Sequence, residues 1–388
     1  MSSNHTRGNR SHKRIMLNDN HMYSLVHFRN EVINALAEDG HHVCLVAPFK
    51  RKNPRFDDID ESVVIHTLPL DRTSLSVKNI ISYLKELFGI IREEKPDIMV
   101  NYTIIPIMFG SLAARLSGVT PVAVFAGMNS EVSFHIKNKS GKSSLIRKVL
   151  KTILSFNKHI IFLNEEDFQR MDEAGMIRED QAIIMKGGEG VDLIKYSLPK
   201  QDRQMPKKRF KIVMIGRVLK TKGYIELEEC ARRCKEQNIP VDFYIAGGVD
   251  EVHPDRIPLE RIKKAEADGL LQFKGHILNL KEFLEDADCV VLPSYYNEGM
   301  NRSLMEALSM GIPIITTDNR GCRELVIDRK TGFIIPPRDS EALFEAVKTF
   351  INLSEEQKTE MKMASRKYAE ERFDINDVIS VYRKIVSE

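Results

Sequence analysis

The chain has 388 residues, which at roughly 150 residues per domain is enough for two or three domains with cores of their own. Hydrophobic residues make up 42% and charged residues 29%, a composition that excludes an intrinsically disordered chain. A net charge of +3 is too small to indicate a nucleic-acid partner, so any basic surface must be local.

Apolar runs and cysteines indicate a cytoplasmic protein. No segment approaches the roughly 20 apolar residues of a membrane-spanning helix. The apolar run 15–17 that follows the basic start ends at Asn18, far short of a signal peptide. The cysteines are too few and too scattered for a disulfide framework, so we expect buried thiols. They are Cys44, Cys230, Cys234, Cys289 and Cys322.

Short apolar runs alternate with amphipathic stretches in the first half of the chain. The pattern predicts a strand at 13–17 and a helix at 28–38 that Gly40 closes. Further strands are predicted at 42–48, 97–101 and 121–125, and further helices at 77–92 and 109–116. This alternation predicts a parallel, doubly wound α/β sheet whose ligands lie at the carboxyl ends of the strands.

The polar, proline-bearing segment 199–208 predicts a linker, after which the alternation begins again. Strands are predicted at 210–215, 241–246, 271–273, 289–292 and 312–316, and helices at 224–237, 303–310 and 355–387. We therefore predict two Rossmann-like domains, 1–198 and 199–370, that face a central cleft. The last residues, 371–388, are expected to form a helix that crosses back to the first domain.

Several motifs do not support a cofactor or a metal. The Gly-Lys-Ser at 141–143 lacks the glycine of a phosphate loop five residues earlier. No Gly-x-Gly-x-x-Gly follows the first strand, so a dinucleotide cofactor is not expected. Two Asp-x-Asp pairs, at 58–60 and 286–288, lie in a charged surface stretch and at a helix end, and neither predicts a metal site.

The segment 293–337 carries the most informative pattern. Glu298 follows a predicted strand, Asn301 is suited to cap the next helix, and Glu306 lies on that helix. The loop backbone offers N–H groups at a positive helix terminus, which suits a phosphate or sugar hydroxyls. A carboxylate accepts from two vicinal hydroxyls, so Glu306 could hold a ribose. Taken alone, both glutamates could equally be solvated acids at a helix start.

A second set of residues follows the first strand of the second domain. Gly216-Arg217 is succeeded by Lys222-Gly223. Arginine supplies a planar bidentate donor and lysine a point charge, which together suit a diphosphate, and glycines let backbone approach closely. Two solvated bases would explain this pair by itself. Its combination with the two glutamates on strand-end loops of one domain favours a binding site.

These residues together resemble a family-4 retaining glycosyltransferase of the GT-B architecture, over almost the whole chain. The resemblance is carried by Gly216-Arg217, by Lys222-Gly223, by the segment ADCVVLPSYYNEGMNRSLMEALSMGIPII and by Gly332-Phe333. In such enzymes a Glu-x7-Glu pair matches Glu298 and Glu306.

The resemblance implies roles for these residues. Arg217 and Lys222 hold the donor diphosphate and stabilise the charge that grows as the nucleotide leaves, while Glu298 holds the donor sugar. The other implied donor-binding residues are Gly216, Gly299, Met300, Asn301, Arg302, Ser303 and Glu306, the last on the ribose. It also implies same-face attack without a metal or other cofactor. The implied donor is a UDP-sugar, led by N-acetylgalactosamine or another N-acetylhexosamine.

The first half resembles a narrower group, which adds sugars to polyprenyl-diphosphate-linked acceptors in capsule, O-antigen or N-glycan assembly. The stretches that carry this are IMLNDN, HFRNEVINALAEDGHHVCLVAP, the run 110–115 and VAVFAGMNSEVSF. The implied acceptor-side residues are Asn20, Arg29, Gly127, Met128 and Asn129. Two alternatives remain open: a sugar-nucleotide epimerase of the same architecture, and a non-catalytic sugar-nucleotide binding subunit.

A basic stretch runs from 136 to 159, with seven lysines and arginines and no acidic residue. Apolar residues recur between them at helical spacing, a pattern typical of a helix that lies on an anionic bilayer. An ordinary amphipathic helix with a solvated basic face would also explain it. We expect the membrane-facing residues to be Lys142, Arg147, Lys148 and Lys151. The predicted location is the inner face of the cell membrane, with peripheral attachment.

Overall fold

Two parallel β-sheets organise the chain. The computed structural model describes residues 12–49, 54–69, 76–127, 141–199, 209–296 and 299–388. These residues form two units, one reaching to Glu189 and including Ile375–Glu388, the other Gly190–Asp374. Each sheet belongs to one unit, and the doubly wound α/β fold class predicted from the sequence is confirmed.

The first unit contains seven strands and seven helices among its described residues. The strands are β1 (Arg14–Asn18), β2 (His42–Ala47), β3 (Val64–Thr67), β4 (Ile98–Tyr102), β5 (Thr120–Phe125), β6 (His159–Phe162) and β7 (Ala182–Ile184). The helices are α1 (Met22–Phe28), α2 (Asn30–Glu38), α3 (Val77–Glu94), α4 (Ser111–Leu116), α5 (Gly141–Leu154), α6 (Glu165–Glu173) and, at the end of the chain, α13 (Ile375–Ser387).

All seven strands are parallel, in the order β3-β2-β1-β4-β5-β6-β7. Alternate residues of the central strands point to opposite faces, and both faces are buried. Met16 and Met99 pack under α3 and α4. Leu17 and Val100 pack under α1, α2 and α13. Strands covered on both faces read as continuous apolar runs, which explains why their positions could be predicted.

The second unit repeats this plan. Its strands are β8 (Phe210–Ile215), β9 (Val241–Ala246), β10 (Gln272–Gly275), β11 (Cys289–Leu292), β12 (Ile314–Thr317) and β13 (Gly332–Ile335), in the parallel order β10-β9-β8-β11-β12-β13. Its described helices are α7 (Tyr224–Glu236), α8 (Leu259–Ala267), α9 (Leu280–Leu284), α10 (Arg302–Ser309), α11 (Ser340–Ile351) and α12 (Glu355–Arg372). Chain order reverses between β8 and β11, the arrangement at which doubly wound sheets bind ligands.

The unit boundaries differ from the predicted domain boundaries at 198/199 and 370/371. Val191 donates a backbone hydrogen bond to the carbonyl of Phe373, at 2.7 Å. The Arg366 guanidinium donates to the carbonyls of Leu193 and Tyr196, each at 3.1 Å. These contacts join the segment after Glu189 to the second unit, while the linker at 199–208 stays a prediction.

Two predicted helices are interrupted. The helix predicted at 28–38 is two helices, because Arg29 leaves the helical conformation (φ −131°, ψ 8°) between α1 and α2. The tail predicted as helical from 355 to 387 is likewise divided into α12 and α13. The helix breaks at Phe373, whose carbonyl accepts a backbone hydrogen bond from Val191. The spacing of apolar residues along the tail does not reveal this contact.

The last helix, α13, packs entirely within the first unit. Tyr382 and Tyr102 share a buried hydrogen bond of 2.8 Å between their hydroxyls. The Arg383 guanidinium donates two hydrogen bonds to the Asp39 carboxylate, at 2.6 and 3.1 Å. The buried face of α13 consists of Ile375, Val378, Ile379, Tyr382, Ile385 and Val386.

Side-chain burial also bears on the thiols and on membrane insertion. All five cysteines are buried, as predicted. Burial raises the pKa of the Cys44 and Cys289 thiols, which keeps them protonated. Within the described ranges, no helix is both long enough and apolar enough to span a bilayer.

We expect Ile385→Ala to destabilise the protein by about 2–5 kcal/mol, because it leaves a cavity between α13 and the first sheet. Lys384→Ala on the same helix is exposed and is the matched control. Urea unfolding of the two variants and the wild type measures the difference. Equal free energies of unfolding for all three proteins would show that α13 contributes no packing energy.

Candidate functional site

The residues predicted for a diphosphate, Arg217 and Lys222, follow the end of β8, and the residues predicted for the donor sugar follow β11, its neighbour in the second sheet. A 3-10 turn, Lys220–Lys222, follows β8 and touches the loop after β11. Tyr295 of that loop donates its backbone N–H to the carbonyl of Thr221, at 2.9 Å. The two loops therefore form one structure at the point where the chain order of the sheet reverses.

Tyr296 connects the two predicted cations. The Arg217 guanidinium carbon lies 5.9 Å from the centre of the Tyr296 ring, and the Lys222 ammonium lies 5.3 Å from it. Arg217 also forms an ion pair of 3.0 Å with Asp250 and stays partly exposed. Lys222 is buried. Both cations therefore lie near the same aromatic ring, and Arg217 shares its charge with Asp250.

Glycines allow the close backbone approach that this site needs. Gly223 has φ +87° and packs against the Pro293 carbonyl, where a Cβ atom would lie 2.3 Å from the oxygen. A Cβ atom on Gly247 would lie 1.7 Å from the Gly216 carbonyl oxygen. Because no larger residue fits either place, these glycines fix the backbone next to Arg217 and Lys222.

The loop after β11 is also held by Thr317, the last residue of β12, and by Asn319 just beyond it. The Thr317 hydroxyl donates to the carbonyl of Ser294, and the Asn319 amide donates to the carbonyl of Tyr296, the latter at 2.6 Å. Sequence reasoning did not identify Tyr296, Thr317 or Asn319. An aromatic residue next to the Asn-Glu-Gly run was the available signal for Tyr296, whereas the two carbonyl contacts depend on strands 23 residues apart.

The amino terminus of α10 lies beyond this loop. Asn301 caps the helix, and its side chain accepts from the backbone N–H of Leu304 at 3.3 Å. Gly299 and Met300 precede the cap, and Ser303 is half-buried in the first turn. Glu298 lies outside the described residues. The terminus therefore presents backbone N–H groups and a partial positive charge beside the predicted donor residues.

Glu306 forms a buried ion pair with Arg302, with 3.3 Å between Nε and Oε1. Both side chains are almost fully buried, so this pair lies on the buried face of α10 and not on its solvent face. Arg302 therefore meets Glu306, not an open surface. Removing one member of such a pair would leave an uncompensated buried charge.

In the first unit, two of the predicted acceptor-side residues lie just after the ends of β1 and β5. Asn20 follows β1 and is half-buried, and Gly127 follows β5 with φ +123°. Met128 and Asn129 lie outside the described residues. Arg29, by contrast, is buried, and its role on the acceptor side stays a prediction.

Arg29 is held between two carboxylates and an aromatic ring. Its guanidinium lies 2.8 Å from Glu189 and 3.5 Å from Asp19, and 4.0 Å from the centre of the Tyr102 ring. Burial raises the pKa of Asp19 to about 6, although Arg29 opposes the shift. The cluster combines one cation with two acids, and burial disfavours the ionised form of Asp19.

Residues 141–154 of the basic stretch form helix α5, and the described membrane-facing residues predicted on it do not all face the solvent. Lys148 and Lys151 are exposed. Arg147 instead donates a hydrogen bond to the carbonyl of Ala174, beyond the end of α6, and is half-buried. The side chain of Lys142 is not among those described. Arg147 therefore serves packing, because its guanidinium meets an orphan carbonyl at a helix end.

Sequence comparison identifies both halves of the chain. Residues 15–164 match the family described as glycosyl transferase 4-like, and residues 198–371 match glycosyl transferases group 1. The chain belongs to these glycosyltransferases. Its arrangement of a 4-like unit followed by a group 1 unit corresponds to the two sheets, and the site at the ends of β8 and β11 lies in the group 1 half.

Similar proteins extend over most of the glycosyltransferase chain. An N,N'-diacetylbacillosaminyl-diphospho-undecaprenol α-1,3-N-acetylgalactosaminyltransferase of Campylobacter jejuni is 25% identical, over 93% of this chain and 95% of its own. A UDP-Gal:α-D-GlcNAc-diphosphoundecaprenol α-1,3-galactosyltransferase of Escherichia coli is 25% identical, over 77% of each chain. The crystal structure of Anabaena HepE with UDP and glucose is 16% identical, covers 97% and 100% of the two chains, and has a TM-score of 0.77. This structural likeness shows the GT-B fold.

We expect the stability gained by Asp19→Asn relative to the wild type to rise by about 2 kcal/mol between about pH 4.5 and 7.5. The raised pKa means that Asp19 favours folding fully below its ordinary value of 3.8, and that this contribution is lost as the pH rises through about 6. The variant side chain stays neutral throughout. Urea unfolding at both pH values measures the change.

Asp19→Asn also changes the contact with Arg29, which shifts the free energy of unfolding by the same amount at both pH values. The test is therefore the change in the stability difference between the two pH values. Asp172→Asn on the exposed surface of α6 controls for the removal of one acidic group. A stability difference between Asp19→Asn and the wild type that does not change with pH would contradict the raised pKa.

Proposed function

We propose that this glycosyltransferase moves a sugar, N-acetylgalactosamine or another N-acetylhexosamine, from a UDP-sugar to a polyprenyl-diphosphate-linked saccharide. The observation that carries the proposal is that two cations, Arg217 and Lys222, both lie near the ring of Tyr296, in the loop that precedes α10 in the chain. A diphosphate needs fixed positive charge of this kind. The relatives from C. jejuni and E. coli, by their names, act on undecaprenyl-diphosphate-linked sugars.

In this proposal the second unit binds the donor. Arg217 and Lys222 hold the diphosphate, with the backbone around Gly216 beside them. The proposed ligands of the donor sugar are Glu298, Gly299, Met300, Asn301 and Ser303, and the proposed ligand of the ribose is Glu306. Glu306 pairs with Arg302, and in this proposal that contact orients the carboxylate so that it accepts from the ribose hydroxyls.

The reaction proposed is retaining. The bond between the anomeric carbon and the diphosphate oxygen breaks while the acceptor hydroxyl oxygen bonds to the same face of that carbon. The departing diphosphate oxygen takes the proton of the acceptor hydroxyl, and UDP leaves. The two cations stabilise the charge that develops on the diphosphate, which is the contribution a divalent metal would otherwise make. We therefore propose that no metal or other cofactor is needed.

The acceptor is proposed to bind the first unit, near Asn20 and the stretch from Gly127 to Asn129. Arg29 and its two carboxylates hold the end of β1 beneath that place. We further propose peripheral attachment at the inner face of the cell membrane, since the relatives' acceptors are lipid-linked and α5 exposes Lys148 and Lys151.

We expect Lys222→Ala to lower kcat by about 10²-fold or more, because its ammonium acts on charge that develops in the transition state. Lys220→Ala is the matched control, since Lys220 lies in the same turn but is exposed. UDP release is measured with UDP-N-acetylgalactosamine and the undecaprenyl-diphosphate sugars named for the two relatives. Unchanged turnover in Lys222→Ala would refute its assigned role.

The same assay separates the proposal from its alternatives. A transferase releases UDP only when the acceptor is present. Conversion of the UDP-sugar without any acceptor would identify an epimerase of the same architecture. Tight binding of UDP-sugars with no turnover of either kind would identify a non-catalytic binding subunit.

We expect UDP, but not GDP or ADP, to raise the thermal stability, and Glu306→Gln to reduce this effect. A ligand at 100 times its Kd stabilises the folded protein by about 2.7 kcal/mol. Since the variant also weakens the pair with Arg302, its stability without nucleotide is the reference for its own shift. Stabilisation by another nucleotide instead of UDP would replace the proposed donor.

A further inference from the structure

Three helices of the first unit form one continuous layer. Helix α3 packs against α4, and α4 packs against α5. Their inner sides cover the same face of the first sheet, over Met16 and Met99 at α3 and α4, and over Ala123 and Ile160 at α5. The outer side of this layer, called the α3–α5 surface below, faces solvent.

Exposed apolar side chains concentrate on the α3–α5 surface. Seven large hydrophobic side chains are exposed in the described part of the first unit, and six of them lie on this layer. They are Val77, Ile81 and Phe88 on α3, Leu116 on α4, and Leu145 and Val149 on α5. Single exposed apolar residues are ordinary, whereas six on one surface indicate an interaction site.

On α3 these residues form a stripe. Val77, Ile81 and Phe88 are spaced four and seven residues apart, so they share one side of the helix. Ile81 is 61% exposed, while Tyr83 and Leu87 on the opposite side are fully buried in the core. Because the inner side already supplies the packing of α3, the described residues of the unit leave the outer stripe exposed.

The charges on the α3–α5 surface are mainly positive. The exposed basic residues on the three helices are Lys78, Lys85, Arg92, Arg115, Lys148 and Lys151, and the exposed acidic residues are Glu86 and Glu93. The described surface thus has six positive and two negative side chains, a net +4, although the whole chain has only +3. The excess of positive charge is local to this layer.

We propose that the α3–α5 surface docks on an anionic lipid bilayer, with α3 as a second contact beside α5. Apolar side chains interspersed with lysines and arginines suit the boundary between headgroups and acyl chains. A second copy of the chain would bring like charges together, which disfavours a dimer through this surface. The inference rests on the proposed lipid-linked acceptor, and two contacts would fix the orientation of the first unit at the membrane.

Matched triple variants test the surface. Lys85→Glu with Ile81→Ser and Phe88→Ser alters α3, and Lys148→Glu with Leu145→Ser and Val149→Ser alters α5. Lys264→Glu with Val252→Ser and Leu278→Ser makes the same kinds of change at exposed positions of the second unit. Co-sedimentation with vesicles of phosphatidylcholine plus phosphatidylglycerol measures binding, with pure phosphatidylcholine as the reference.

We expect the α3 variant to bind anionic vesicles at least about tenfold more weakly than the wild type, with a similar loss in the α5 variant. The second-unit variant should stay within about twofold. Turnover of a short-chain, detergent-solubilised acceptor should be equal in all four proteins. Thermal unfolding checks folding, and the single changes Lys85→Glu and Ile81→Ser replace the triple α3 variant should it not fold.

Several outcomes would overturn the inference. Wild-type binding by the α3 variant, with loss only in the α5 variant, would remove α3 from the surface and leave the proposed function intact. Failure of the wild-type protein to bind anionic vesicles would remove the whole surface, while turnover of the solubilised acceptor still decides the proposed function. A wild-type dimer that the α3 variant converts to monomer in analytical ultracentrifugation would assign the surface to a second copy.

Discussion

The candidate site depends on one feature of parallel sheets, the place where chain order reverses between neighbouring strands. From β8 the chain leaves toward β9, and from β11 toward β12, so the two strand-end loops have room to meet. The backbone hydrogen bond from Tyr295 to Thr221 joins the two loops. The apolar strands are buried on both faces and have no place for charge. Polar chemistry is therefore confined to their ends.

That confinement has an energetic cost, because several charged groups are taken from water. Lys222 is buried near the ring of Tyr296, and Glu306 and Arg302 form an ion pair on the buried face of α10. Such pairs seldom stabilise a fold compared with apolar residues of equal volume. Their presence beside a helix terminus is better explained by a ligand whose charge they complement. The cluster around Arg29, next to the end of β1, has a similar cost, because burial raises the pKa of Asp19 and so disfavours its ionised form.

Local patterns predict the elements and the main donor residues, and long-range contacts account for what they leave out. Continuous apolar runs locate β1, β2 and β11, and Asn301 as a helix cap locates the start of α10. Burial of Arg29 follows from Glu189, 160 residues away, and the packing of Arg147 follows from a carbonyl 27 residues away. The spacing of apolar residues along the nearby helices does not reveal either partner. The unit boundary at Gly190 likewise reflects contacts with Phe373 and Arg366, not composition.

The positive charges of the molecule fall into two kinds that act over different distances. Exposed lysines such as Lys85 and Lys148 are screened within about 8 Å at physiological ionic strength, so they act only on a surface already near them. Lys222 is buried, so solvent screens its charge far less than that of the exposed lysines. Exposed charges can attract a membrane without selecting a molecule, whereas a buried charge can select a diphosphate at close range. The proposed function, with a soluble donor and a lipid-linked acceptor, calls for both kinds of charge, and the chain carries them on separate units.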